Sequence, residues 1–245
     1  MLSLENKRAL VTGGSERIGR AIALALAREG ADVAITYRSS ERAAQALVRQ
    51  LGSLRVSAHA IPCDVRDPKS VRAMAKAVLK EFADLDILVN NAALYETIEF
   101  SKITSEQWDQ ILETNTRGPF LVAQAFLPAL RKSKGRIVNL SSLGGLRPWT
   151  EHAHYCVSKA ALNMLTEVMA KALAPEIAVN AVAPGMIETD YDTSRELRTR
   201  TARKTPMRRN GTPEDVVEAV LFFAGATRFI TGQVLYVDGG LGLAT

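Results

Sequence analysis

Only two cysteines, Cys63 and Cys156, occur in 245 residues. They are too few and too isolated for a disulfide framework or a multi-cysteine metal site, and both read as free thiols of a reducing compartment. Histidine is nearly as scarce. His59, His152 and His154 show no metal-ligand spacing together with carboxylates, so they read as structural and no metal is expected. Long hydrophobic runs are also missing: the longest, at 21–27 and 177–183, fall well short of the ~20 residues a membrane span needs. The first residues, MLSLENKRALVTGG, lack the form of a signal peptide. A cytoplasmic chain without membrane association is the expectation. The net charge of +5 is modest, and its basic residues are scattered apart from one cluster at 195–209, which argues against a nucleic-acid partner.

What is present is a folding composition, 47% hydrophobic and 23% charged, far from the signature of disorder. Short β-branched and apolar runs recur at 8–12, 32–37, 56–61, 87–90, 136–140, 177–182 and 234–237, each reading as a buried strand. Amphipathic stretches at 17–29, 41–51, 68–82, 106–132, 153–174 and 213–225 separate them. Asp67-Pro68 and Thr212-Pro213 are helix starts with proline in the first turn. Regular alternation of strand and helix implies right-handed crossovers and a parallel sheet covered on both faces. The prediction is an α/β chain, one Rossmann domain over 1–245, doubly wound on about seven strands. No linker or repeat divides it. The irregular stretch at about 185–211, rich in charge, is expected to be a lid over the substrate.

The first strand runs into Thr12-Gly13-Gly14-Ser15-Glu16-Arg17-Ile18-Gly19, with a helix behind it. Glycine there lets the backbone turn tightly and approach a pyrophosphate, which rests on the positive end of the helix. The second strand ends at Tyr37-Arg38-Ser39, where an acidic residue is expected if a free ribose 2′-hydroxyl is bound. Arg38 and Ser39 instead suit a 2′-phosphate, pointing to NADP(H). Asp64, after the third strand, suits either an adenine amino group or a cap on its own turn.

Tyr155 and Lys159 lie four apart in a helical pattern, on one face with Cβ atoms about 5–6 Å apart. An adjacent ammonium is expected to lower the tyrosine's pKa and let it exchange a proton with a carbonyl oxygen. Ser142, at the end of the fifth strand, is placed to hydrogen-bond the same oxygen. Trp149 and Tyr95 are candidates to border the substrate.

Taken together, these residues resemble the short-chain dehydrogenase/reductase family along the whole chain. The matching positions are Thr12-Gly13 with Gly19, Asp64-Val65, Asn90-Asn91-Ala92, Asn115, Ser142, Tyr155-x-x-x-Lys159, Pro184-Gly185 with Thr189, and Val237-Asp238-Gly239-Gly240. The resemblance implies catalysis by Asn115, Ser142, Tyr155 and Lys159, with Asn115 linking Lys159 to a water chain. It implies cofactor contacts from Gly13, Ser15, Arg17, Ile18 and Gly19, then from Tyr37, Arg38, Ser39, Asp64 and Val65. Asn91, Ala92, Tyr155, Lys159, Pro184, Gly185, Ile187 and Thr189 complete that set, Thr189 at the carboxamide and Lys159 also at the nicotinamide ribose. A homotetramer is implied as well, with the C-terminal strand and the helices around Asn115 and Tyr155 at interfaces.

Two departures matter. Arg17 stands where the family usually has its middle glycine, and Asn-Asn-Ala-Ala-Leu-Tyr replaces Asn-Asn-Ala-Gly. Arg17, the Tyr-Arg-Ser at 37–39 and Tyr95 look like the pteridine and dihydromonapterin reductase branch, in which an aromatic at Tyr95 can stack a pterin. Ser142 points elsewhere, because those reductases commonly carry aspartate there. Ketoacyl-carrier-protein reductases are the other close comparison. A binding protein that kept the fold and lost catalysis would lack the tyrosine or the lysine, and both are present.

Overall fold

The computed structural model describes residues 3–189 and 194–244. Seven parallel strands form one sheet in the order β3-β2-β1-β4-β5-β6-β7. They are β1 (Arg8–Val11), β2 (Asp32–Tyr37), β3 (Ala58–Pro62), β4 (Ile87–Asn90), β5 (Arg136–Leu140), β6 (Ala178–Pro184) and β7 (Val234–Val237). The helices are α1 (Arg17–Arg28), α2 (Glu41–Gly52), α3 (Pro68–Phe82), α4 (Ser105–Leu112), α5 (Gly118–Ser133), α6 (Ala153–Leu173), α7 (Arg195–Lys204) and α8 (Pro213–Gly225).

The two-residue period of a strand sends alternate side chains to opposite faces. Ala9 and Val11 therefore join a core with Ile22 and Leu26 of α1, Leu47 of α2 and Val220 and Phe223 of α8. Leu10, between them, joins Met74 and Val78 of α3, Phe126 of α5 and Met169 of α6. Burying each large apolar side chain contributes about 1.5–3 kcal/mol, so the two layers fix which face of the sheet each helix covers. The winding reverses between β1 and β4. At that reversal the carboxyl ends of the strands leave an open crevice, where α/β sheets bind ligands.

Two expected elements differ. The stretch read as one helix over 106–132 is α4 and α5 joined by a π-turn at Glu113–Arg117. Pro119 has no N–H, so the Asn115 carbonyl four residues earlier loses its ordinary helical donor and the ladder is displaced there. Within the stretch read as an irregular lid lies α7, started by Ser194, whose Oγ accepts from Leu197 N at 3.2 Å. None of its residues is buried, so it has no apolar stripe for a periodicity reading to find. Residues 190–193 of that stretch lie outside the described residues.

Candidate active site

The crevice floor is built by hydrogen bonds between strand ends. Thr12 Oγ1 accepts from the backbone N–H groups of Asn91 and Ala92 at 3.0 and 3.1 Å. The Asn91 amide donates to the carbonyls of Thr12 and Gly13, both at 2.9 Å, and Gly13 N donates to Thr36 Oγ1 at 3.1 Å. Gly13 has φ +60°, a left-handed conformation that favours glycine. A Cβ at Gly19 would run into the Gly13 carbonyl and the Asn91 amide, and one at Gly14 would sit 2.7 Å from Ile35. Ser15 is buried in the turn and Ile18 half-buried on α1. This close-packed turn at a helix N-terminus fits the pyrophosphate of a dinucleotide.

Arg17 holds φ +50°, so the side chain that replaces the family's glycine keeps the backbone shape a glycine would supply. At the β2 end Tyr37 is buried, while Arg38 and Ser39 are exposed. Asp64 caps its own turn: its Oδ1 accepts Arg66 N at 3.0 Å, and its carboxylate also accepts Arg66 Nη2 at 2.6 Å and Nε at 3.0 Å. The Arg66 guanidinium, helped by Arg38, holds the Asp64 carboxyl below the usual carboxylate range. Arg66, which the sequence pattern did not single out, holds its guanidinium against Asp64 just after β3. Val65 is buried against Gly118.

On the other side of the crevice, Pro184 ends β6, and Gly185 N donates to Val237 O at 3.0 Å. Ile187 bridges to Gly211. The Thr189 carbonyl accepts from Arg198 Nη2 at 3.4 Å.

The reactive groups converge where β5 ends. Ser142 Oγ accepts from Gly144 N at 3.1 Å, and the hydroxyl is near enough to the Tyr155 phenol to favour its charged form. Lys159 Nζ lies 5.8 Å from the Tyr155 ring centroid and donates to Leu140 O at 2.7 Å. The expected lowering of the tyrosine is corrected here. Desolvation, the leading cause, pushes Tyr155 up to about 12 against the opposing influence of the Ser142 hydroxyl, and burial pulls Lys159 down to about 7. With the ammonium itself destabilised, desolvation of the phenolate wins.

Asn115 is fully buried in the π-turn. Its side chain accepts from Leu94 N at 2.8 Å and donates to Leu94 O at 2.9 Å and Ser158 Oγ at 3.0 Å. Ser158 in turn donates to Tyr155 O at 2.7 Å. Asn115 thus ties α6 to the segment after β4 with its side chain, while Pro119 offers its carbonyl no N–H.

Tyr95 stands perpendicular to Tyr155, centroids 4.9 Å apart, and Trp149 lies nearly parallel to it at 6.3 Å. Tyr95 is 55% exposed, and its hydroxyl meets His152 Nε2 at 3.0 Å, whose Nδ1 meets Glu96 O at 3.0 Å. His152 therefore sets the Tyr95 ring. Among the described residues no group of three or more histidine, cysteine or carboxylate side chains is arranged to hold a metal.

A glycine-lined dinucleotide cradle opposite a Ser-Tyr-Lys group defines a nicotinamide-dependent oxidoreductase acting on carbonyl or alcohol groups. The family model described as enoyl-(acyl carrier protein) reductase matches residues 14–242, and the chain belongs to the short-chain dehydrogenase/reductase family. It is similar to the 3-oxoacyl-[acyl-carrier-protein] reductase FabG of Staphylococcus aureus, 40% identical over 240 residues, 96% of this chain and 98% of that one. The same-named protein of Vibrio cholerae is 39% identical over 245 residues, 98% and 99% of the two chains. A crystal structure of a short-chain type dehydrogenase/reductase from Mycobacterium marinum superposes with TM-score 0.92 at 36% identity, covering 98% of this chain and 96% of that one.

Proposed function

We propose that this chain is an NADP(H)-dependent reductase of carbonyl compounds, of the 3-oxoacyl thioester kind. The observation that carries the reading is the convergence of Ser142, Tyr155 and Lys159 at the end of β5, with Lys159 Nζ 5.8 Å from the Tyr155 ring and bonded to Leu140 O. Arg38 and Ser39, exposed at the end of β2 where the strand brings no carboxylate, support the phosphate-bearing cofactor. The names of the relatives support the acyl substrate.

Gly13, Ser15, Arg17, Ile18 and Gly19 would hold the pyrophosphate end, Asp64, Val65, Asn91 and Ala92 the adenosine and central crevice, and Pro184 to Thr189 with Lys159 the nicotinamide end. When bound there, the nicotinamide supplies the hydride. Ser142 donates a hydrogen bond to the substrate oxygen and Tyr155 Oη gives it a proton as charge develops. With Tyr155 near 12 and Lys159 near 7, the proton resides on the phenol at neutral pH, where reduction needs it. Lys159, with a water held at the carbonyl of Asn115, would then pass a proton from solvent back to Tyr155.

Exposed Phe120 on α5 and Val157, Met164 and Val168 on α6, together with Phe229, Leu235 and Leu243 at the C-terminal end, support a homotetramer. Two free thiols fit a cytoplasmic protein. The exposed Tyr95 ring beside Tyr155 favours a second reading, a dihydropterin reductase. Turnover of NADPH with 3-oxoacyl thioesters, simple ketones and dihydropterins at saturation separates the two: preference for the thioester or ketone supports the first reading, and turnover confined to dihydropterins replaces it.

A further inference from the structure

The end of β2 is where this fold reads the 2′ position of the adenosine ribose, a carboxylate serving a hydroxyl and a guanidinium a phosphate. The strand itself brings no acid there, but another segment does. Glu16, from the glycine-rich turn, reaches across so that its Oε2 accepts a hydrogen bond from Ser40 Oγ at 3.2 Å.

The way these two side chains are used makes the contact unusual. Glu16 is the N-cap residue of α1 and Ser40 that of α2, yet neither side chain bonds its own helix. A cap oxygen ordinarily accepts from its own first turn, and losing that bond costs about 1 kcal/mol. Here both groups are turned toward each other, so the Glu16 carboxylate lies between the positive ends of two twelve-residue helices. Arg38 and Ser39, exposed, adjoin Ser40. Helix dipoles, a hydroxyl donor and a guanidinium are the parts of an anion site, and the chain supplies an anion of its own to it.

We propose that Glu16 sets the selectivity of the cofactor site: its carboxylate competes with the 2′-phosphate of NADP(H) for Ser40 and accepts a hydrogen bond from the 2′-hydroxyl of NAD(H), so that both cofactors bind. The inference rests on the reading of the β2 end as the 2′ site. Because Glu16 makes no cap bond, replacing it removes the selector without removing a helix cap.

Calorimetric titration of the purified, folded protein with NADP+ and with NAD+ tests this without turnover. Glu16→Gln should tighten NADP+ about tenfold through loss of like-charge repulsion and weaken NAD+ a few-fold. Glu16→Ala should tighten NADP+ in the same way. An affinity ratio left unchanged by both variants overturns the proposal, and a drop in unfolding temperature with that unchanged ratio identifies Glu16 as an interhelix brace instead. Arg38→Ala judges the NADP(H) reading separately. It should weaken NADP+ and spare NAD+, and if NADP+ is unaffected there while Glu16→Gln still shifts the ratio, the arginine assignment fails and the glutamate assignment stands.

Discussion

Replacing Lys159 with methionine should stabilise the protein, by an amount that shrinks as pH rises. Lys159 is 3% exposed, and burial draws its ammonium from the ordinary 10.5 down to about 7. Between those two values the unfolded chain carries a proton that the folded chain has lost. Wild-type stability therefore rises with pH through that window by about 1.4 kcal/mol per unit for this group, and below about pH 7 the full penalty of a buried charge is present. Methionine fills a similar volume and binds no proton, so its curve lacks the slope. From about pH 7 to about pH 9.5 the gap between variant and wild type should narrow by about 3 kcal/mol. Tyr155, raised to about 12, changes stability only above about pH 10, outside the window. Urea unfolding of both proteins at matched concentration across this range measures the gap. Parallel curves would refute the claim that Lys159 is buried with its charge suppressed.

Three further outcomes follow from the site. Ser142→Ala should lower kcat by about 10²–10³ with cofactor affinity unchanged, because its hydroxyl acts on the reacting oxygen; steady-state kinetics with calorimetry checks both halves. Pro119→Ala restores an N–H facing the Asn115 carbonyl, so the π-turn should close toward an ordinary helix and kcat should fall on the order of tenfold to a hundredfold; wild-type kcat would show that the freed carbonyl has no part in proton return. Gly19→Ala drives a Cβ into the Gly13 carbonyl and the Asn91 amide and should cost about 1–3 kcal/mol of stability along with dinucleotide affinity, measured by denaturant unfolding and titration.

The seven strands and both ends of the crevice were legible because buried parallel strands are short apolar runs and glycine-rich turns are local. Ser142, Tyr155 and Lys159, 17 residues apart at most, were legible as a set because one strand end and one helix face bring them together. What escaped was made by distance or by competition between forces. The 106–132 pattern is continuous in its apolar spacing, and only Gly118-Pro119 signalled the break that frees Asn115. Helix α7 carries no apolar face, so charge concealed it. The direction of the Tyr155 shift depends on how deeply both groups are buried, which spacing alone does not convey. Arg66 pairs with Asp64 and Glu16 with Ser40, the latter across 24 residues, whereas the sequence pattern directs attention to the end of β2 alone.

The central claim is that Tyr155 delivers the proton to a carbonyl oxygen within a site that binds its cofactor independently of that step. Single-turnover oxidation of bound NADPH by a 3-oxoacyl thioester, in wild type and Tyr155→Phe, tests it most directly. The account predicts that the variant binds NADPH with wild-type affinity and oxidises it at least about 10²-fold more slowly. Oxidation at the wild-type rate by a variant that binds NADPH normally would contradict it.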